Sequence, residues 1–512
     1  DMCAALKAGR EAGRRDSIVI VAEGALDQDG NPITSQEVKK TLEDKLGEDT
    51  RITVLGHYQR GGPPTAFDRN LGTMLGHAAV NKLQEVKPED PPQLIGMRGN
   101  RVVSSPLMEC VDLTKQIASY ADDNQFDQVL ELRGAGFKHT YDILQTLIQS
   151  EPKTPQDDKN AYRIALMHSG APAPGMNAVV RTAVRWGANR GLTMLGVYNG
   201  FPGLIKGDIR ELTWMDVRGL VSLGGAEIGT NRFVPKDGDY YAIARNIEEH
   251  QIDALLVIGG EAGYDSAYNL SSRKKEFPNF RIPIICLPAT IDNDRPGSEL
   301  SIGSDTALNS IVQAVDQIKQ SAVASRRCFV VETMGRYCGY LALMGGLATG
   351  AERVYLHEEG ITLKDLQDDV DHLVTGFNEG KRLGLMIRNE SAHSVYTTDF
   401  MVRLFEVEGK DLFDVRQAIL GHLQQGGNPT PFDRIQGTRL AVRSIDYLVD
   451  SLERGEQQHV FIGLEGGKIQ FTDMEDYTRL EDWEFGRPKK QWWMDIRPLA
   501  RLLAQPGPGK WK

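Results

Sequence analysis

The sequence predicts an α/β protein built on parallel β-sheet, and three observations carry that prediction. Short apolar runs recur along the chain: RIALMH at 163–168, TMLGVY at 193–198, ALLVIGG at 254–260, IPIICLP at 282–288, CFVVET at 328–333 and RLGLMIR at 382–388. Each is followed by a loop and then by a stretch of helical periodicity, the alternation that gives parallel strands covered by helices on both faces. Glycine supplies 53 of the 512 residues, above the usual share of about 7%, and clusters in the loops that follow these runs.

An internal repeat organises the chain. Residues 53–69 read TVLGHYQRGGPPTAFDR and residues 418–434 read AILGHLQQGGNPTPFDR, with 11 identities in 17 positions at an offset of 365. LIGMRGNR at 94–101 and FIGLEGGK at 461–468 correspond at an offset of 367, as do VAEG at 21–24 and RNES at 388–391. Two copies of one unit are present. Residues 150–162, SEPKTPQDDKNAY, are polar and proline-containing, as expected of an exposed linker. The second copy starts near Arg163, and its first 200 or so residues have no counterpart in the first copy, so the first copy is expected to lack its front.

The formal charge of −11 disfavours nucleic acid and anionic membrane as partners. No apolar stretch approaches the roughly 20 residues needed to span a bilayer. Cys3, Cys110, Cys286, Cys328 and Cys338 are widely spaced and form no CxxC pair. That argues against a zinc site or a disulfide framework and fits a reducing, cytoplasmic setting.

In parallel sheets ligands sit at the carboxyl ends of strands, so chemistry is sought in the loops there. HSGAPAPGMN at 168–177 is either a phosphate loop at a helix amino terminus or a glycine turn required by the backbone. GGEAGYD at 259–265 offers a carboxylate for a cation or a helix cap. TIDNDRPG at 290–297 places Asp292 as a proton acceptor beside Asn293 and Asp294, which hold metal or sugar; an Asx turn is the alternative. TMGRYCG at 333–339, preceded by Arg326 and Arg327, suits close approach of a sugar phosphate to backbone and guanidinium. The repeated LGHxQxGG unit carries His57 and Gln59 in one copy and His422 and Gln424 in the other, with Arg51 or Arg416 six residues upstream. Arginine grips phosphate and the neutral side chains bond sugar hydroxyls. No GxGxxG follows the first strand, which removes a nicotinamide dehydrogenase reading.

GAPAPGMN, TIDND, MGRYCG, LGHYQRGG, LGHLQQGG and QWWMDIRP stand in the order found in ATP-dependent 6-phosphofructokinases, and the whole chain resembles their duplicated eukaryotic form. The resemblance implies a phosphofructokinase-like parallel-sheet fold with two lobes per half. It implies transfer of the ATP γ-phosphoryl group to fructose 6-phosphate, with Mg²⁺, in the amino-terminal half. It further implies an allosteric fructose 2,6-bisphosphate site in the carboxyl-terminal half. Residues 1–149 then correspond to the carboxyl-terminal part of the catalytic half, 150–162 to the linker and 163–512 to the regulatory half. A cytoplasmic homo- or hetero-oligomer, a tetramer or larger, is implied too.

Carried onto this chain, the resemblance assigns Glu23, Arg51, His57, Tyr58, Gln59 and Arg60 to the fructose 6-phosphate site. To the effector site it assigns Arg232, Thr290, Ile291, Asp292, Asn293, Asp294, Lys319 and Arg327. Met334, Gly335, Arg336, Glu390, Arg416, His422, Leu423, Gln424, Gln425 and Arg487 complete that set. Some of these arginines are expected to reach into a neighbouring subunit. No metal ligand is assigned within the chain; the ATP and Mg²⁺ ligands are expected in the front absent from the first copy. In the second copy GAPAPGMN replaces the family's GGDAPGMN and GGEAG replaces GGDGS, changes that damage an ATP·Mg²⁺ cradle. Asp292 is therefore expected to be a catalytic relic that now contacts effector. A catalytically silent fragment that binds sugar bisphosphate is the alternative reading.

Overall fold

The computed structural model describes residues 2–11, 13, 17–27, 29–149, 151–152 and 161–504, so most of the expected linker, residues 150 and 153–160, lies outside the described residues. The strands are β1 (Gln93–Arg98), β2 (Arg101–Pro106), β3 (Arg163–Ser169), β4 (Thr193–Val197), β5 (Ile209–Glu211), β6 (Ala254–Gly259) and β7 (Ile284–Pro288). They continue with β8 (Arg327–Thr333), β9 (Arg353–Tyr355), β10 (Leu383–Asn389), β11 (Asp414–Ile419), β12 (His459–Glu465) and β13 (Lys468–Asp473). All six apolar runs read from the sequence are strands.

The second copy has two lobes. One is a seven-stranded sheet in the order β13-β12-β7-β6-β3-β4-β5, and the other a four-stranded sheet in the order β11-β8-β10-β9. Strands β6 and β7 are buried throughout, because helices cover both faces, and this is why they read as unbroken apolar runs rather than alternating ones. The smaller sheet is wholly parallel. The larger departs from the expected parallel arrangement at its edges, where β5 and β13 run antiparallel. At one edge the cause is local: Gly466 and Gly467 take positive φ of 56° and 79°, closing β12 onto β13 in a hairpin too tight for a crossover helix.

The chain runs outward from β3 to β4 and β5, then returns to β6 and β7. The sheet order therefore reverses between β3 and β6, and the loops after β3, β6 and β7 meet at one place, the position at which doubly wound sheets bind ligands.

The first copy is arranged around a seam with the second. Its helix Ala66–Glu85 packs against Ser304–Ser325 and Tyr340–Thr349, and its helix Ala135–Leu147 against Met176–Asn189. Equivalent residues of the two copies touch each other. Phe67 stacks on Phe432 with ring centroids 6.1 Å apart, and Gly99, at the tip of the β1–β2 hairpin, lies so close to Gly466 that an added Cβ would come within 2.6 Å of its carbonyl carbon. Both pairs match at the repeat offsets, so a local pseudo-two-fold axis relates the copies across the seam. Arg69 reaches over it to Asp316 at 2.6 Å.

Residues 17–22 and 51–55, the first-copy counterparts of β10 and β11, are not strands. Ile18 and Ile20 are 86% and 91% exposed. In the second copy β8 lies between β10 and β11 and pairs with both; the repeat offset sets the first-copy counterpart of β8 ahead of residue 1, so these segments have no strand to pair with among the described residues.

The seam makes a prediction. In a double-mutant cycle on Phe67→Ala and Phe432→Ala, measured by denaturant unfolding, the rings should couple by about 0.5–1.5 kcal/mol. Additive losses would show that the pairing contributes nothing beyond burial.

Candidate functional site

The loop after β7 supplies the centre of the site. Asn293 takes a left-handed conformation, φ 54°, and its side chain is spent inside the loop: Nδ2 donates to the Glu299 carbonyl at 2.9 Å and Oδ1 accepts from the Ser301 amide at 2.7 Å. The Asx-type brace weighed as the alternative is thus realised at Asn293, which is not free to hold metal or sugar by its side chain. Ile291 is also withdrawn, packed in the core at 2% exposure. Thr290 caps the loop by accepting the Asp292 amide at 3.2 Å.

Asp294 is buried beside this framework, and Asp292 only partly exposed. Asp292 has a buried Oδ1 with no hydrogen-bond partner. Burial pushes its carboxyl up, the neighbouring Asp294 and Glu390 carboxylates push it further, and Arg295 and Arg232 only partly oppose them. Asp292 is accordingly a protonated acid over more of the pH range than an ordinary aspartate, which suits it to donate to an oxygen ligand and weakens it as a base. Asp294 is gripped by both arms of Arg295, at 3.2 Å each.

Arg295 is wholly buried. Besides Asp294 it donates to Glu481 at 3.0 Å, to the Tyr477 hydroxyl at 3.2 Å and to the Gly486 carbonyl. Tyr477 donates in turn to Asp265 at 2.8 Å. Burial drives Glu481 up to about 8 despite the Arg295 charge.

The loop after β8 closes over this cluster. Gly335, at φ 130°, has no room for a Cβ, which would lie 2.3 Å from the Cys338 carbonyl oxygen. Arg336 follows in a left-handed conformation, φ 48°, which points its amide to Glu390 Oε1 at 2.7 Å and sends its guanidinium across to Glu261, at the end of β6. Met334 donates its amide to Gln424 Oε1 at 3.2 Å, while Gln424 Nε2 donates to the Gly421 carbonyl at 3.0 Å. Gln424 is fully buried and braces two loops rather than offering its amide to a ligand. His422 and Leu423 remain exposed beside it, and Gln425 is half-buried.

Three assigned cations are not brought to this cluster within one chain. Arg327 begins β8 and lies beside Asp414, at 3.5 Å. Arg416 faces the same Asp414 at 3.6 Å and Glu406 at 3.6 Å. Arg327 stands at the opposite end of β8 from Thr333, about 20 Å away at the usual strand rise, and Arg416 lies level with Phe329, well short of the β8 loop. Lys319 donates to the Thr349 carbonyl at 2.8 Å, at the end of a helix. Arg487 does reach the rim of the β8 loop, but Glu358 at 3.1 Å and His357 at 3.0 Å hold its guanidinium.

The loop 170–175 after β3 is turn rather than cradle. Ala173, Pro174, Gly175 and Met176 are buried, and an added Cβ on Gly175 would meet Ile302 at 2.6 Å, so protein covers the helix amino terminus. In the first copy, Glu23, Arg51, His57, Tyr58, Gln59 and Arg60 all lie on the exposed surface. The last four form the short helix Gly56–Arg60, and Arg51 has only a loose contact to Asp49 at 3.9 Å. The structure does not gather them into a pocket.

Sequence reasoning missed Arg295, Tyr477, Glu481 and the role of Glu261. An arginine directly after TIDND was the available signal. The second-copy acids do not fit an ATP·Mg²⁺ cradle: Asp294 is paired with Arg295 and Glu261 with Arg336, and burial beside Asp294 and Glu390 raises the Asp292 carboxyl.

The phosphofructokinase family profile matches residues 1–83 and 163–448. The muscle-type ATP-dependent 6-phosphofructokinase of Homo sapiens is 42% identical over 515 residues, covering 98% of this chain and 66% of the relative. The ATP-dependent 6-phosphofructokinase of Dictyostelium discoideum is 46% identical over 504 residues, covering 98% and 60%. This chain thus spans slightly less than two thirds of the length of these curated relatives. The crystal structure of Pichia pastoris phosphofructokinase in the T-state superposes with a TM-score of 0.94 at 36% identity, covering 98% of this chain and 59% of that one. The Saccharomyces cerevisiae phosphofructokinase structure gives 0.94 and 36%, covering 98% and 68%.

Replacing the buried cation tests the charge balance. Arg295→Met leaves Asp294 and Glu481 buried without it and should cost about 3–5 kcal/mol near neutral pH. Glu481, already raised by burial, would then lose the Arg295 charge that opposes the rise, so the variant should regain stability as pH falls toward 5 and lose it as pH rises. Denaturant unfolding across that range checks this; a pH-independent loss would mean that Arg295 acts through packing alone.

Proposed function

The chain belongs to the phosphofructokinase family, and we propose from that membership that it is part of an ATP-dependent 6-phosphofructokinase. In this reading residues 1–149 are the carboxyl-terminal part of the catalytic half, 150–162 the linker and 163–512 a regulatory half that binds fructose 2,6-bisphosphate. The ATP and Mg²⁺ contacts belong to first-copy equivalents of the loops after β3, β6 and β7, which the repeat offset sets ahead of residue 1. Glu23, Arg51, His57, Tyr58, Gln59 and Arg60 are then the contribution of this sequence to the fructose 6-phosphate site. No helix among the described residues is long and apolar enough to cross a membrane; a cytoplasmic enzyme is the reading adopted.

The observation that carries the regulatory reading is the Asp292 carboxyl, whose buried Oδ1 has no partner, set near Arg295, Arg232 and Glu390 at the meeting point of the strand-end loops. A protonated acid beside guanidinium groups is equipped to bond phosphate or sugar oxygens and poorly equipped to abstract a proton. Arg327 and Arg416, half-exposed at the far end of their sheet, are then available to a neighbouring subunit, and an oligomer of four or more chains follows in this reading.

Kinetics of the enzyme carrying this sequence test the assignment. Arg51→Ala should raise KM for fructose 6-phosphate by roughly 10- to 100-fold, the worth of one charge-assisted phosphate contact, with a smaller change in kcat. An unchanged KM removes Arg51 from the substrate site.

A further inference from the structure

Glu261 has no task in the function proposed above, yet its carboxylate holds the guanidinium of Arg336, a residue assigned to the second-copy site. Arg336 and Glu261 form an ion pair between the β8 loop and the end of β6. Both partners are held in place by other features. Arg336 is fixed by its left-handed backbone and by the hydrogen bond its backbone amide donates to Glu390. Glu261 is pressed from the other side by Gly486, where an added Cβ would lie 2.6 Å from Glu261 Oε1. The Arg336 side chain remains 57% exposed, so a ligand can reach the guanidinium while the acid still holds it.

Resting on the sugar-bisphosphate reading, we propose that Glu261 is an internal competitor of the ligand phosphate. It holds Arg336 across the mouth of the site when the site is empty, and the phosphate takes its place on binding. A carboxylate and a phosphate ask the same two-pronged contact of a guanidinium, so the two occupants exclude each other. The latch sets an affinity threshold: the phosphate must outbid an anion already in position. It also favours doubly charged phosphates over singly charged carboxylates of similar size, which gain nothing by the exchange.

Isothermal titration of fructose 2,6-bisphosphate into the full chain and its variants tests this. Glu261→Gln keeps the side-chain shape and removes the charge, and should tighten binding by about fivefold, the upper range for a part-exposed ion pair. In an Arg336→Ala background, where binding is weakened, the same change should have no effect. Equal or weaker binding by Glu261→Gln, with the unmodified chain binding normally, overturns the latch. A gain that persists without Arg336 overturns it too, because Glu261 would then act by bulk repulsion. If the unmodified chain binds no fructose 2,6-bisphosphate, the sugar-bisphosphate reading itself fails, and the latch with it.

Discussion

Four carboxylates, Glu261, Asp292, Asp294 and Glu390, crowd the place where the strand-end loops of the second copy meet, and their charge must be balanced before any anion can enter. The fold balances it with groups of its own. Arg295 neutralises Asp294 from within the core, Arg336 neutralises Glu261 from the rim, and burial and its acidic neighbours make ionisation of Asp292 expensive. The remaining features of the site follow from this balance. Segment 477–486 packs over the loop after β7 because Arg295 needs Glu481, Tyr477 and the Gly486 carbonyl. The left-handed Arg336 is tolerated because its amide and guanidinium both find acids.

The same balance is the physical ground for the proposed regulatory reading of the second copy. Transfer from a nucleotide depends on positioned charge at the phosphates and on a metal held by free carboxylates. Here Asp294 and Glu261 are already paired to guanidinium groups, and burial raises the Asp292 carboxyl. The seam adds the structural context. Phe67 against Phe432 and Gly99 against Gly466 are self-matching contacts between copies of one unit, as expected where a duplicated chain keeps an ancestral two-fold interface.

The architecture was legible because β3, β6 and β7 are buried on both faces and so read as unbroken apolar runs, and because the repeat survives at 11 of 17 positions in its clearest stretch. The loops were legible as places and less so as roles. Asn293 and Gln424 have ligand-like chemistry, yet whether an amide faces a ligand or braces its own loop depends on φ and on backbone groups from distant segments. Arg295 was hidden for a related reason, since Glu481 and Tyr477 are 186 and 182 residues away. Residues 17–22 show the converse. Their strand-like pattern is plain, but a strand needs a neighbour, and the β8 counterpart that would pair with them is not among the described residues.

The central claim is that resident guanidinium groups and a proton, rather than a divalent cation, prepare the second-copy site for its anion. The affinity of the chain for fructose 2,6-bisphosphate, measured by equilibrium dialysis in Mg²⁺ and again in excess chelator, tests it most directly. This account predicts dissociation constants that agree within about twofold, well inside the tenfold that 1.4 kcal/mol would produce. Binding that appears only with Mg²⁺, and that Asp294→Asn abolishes, would contradict it.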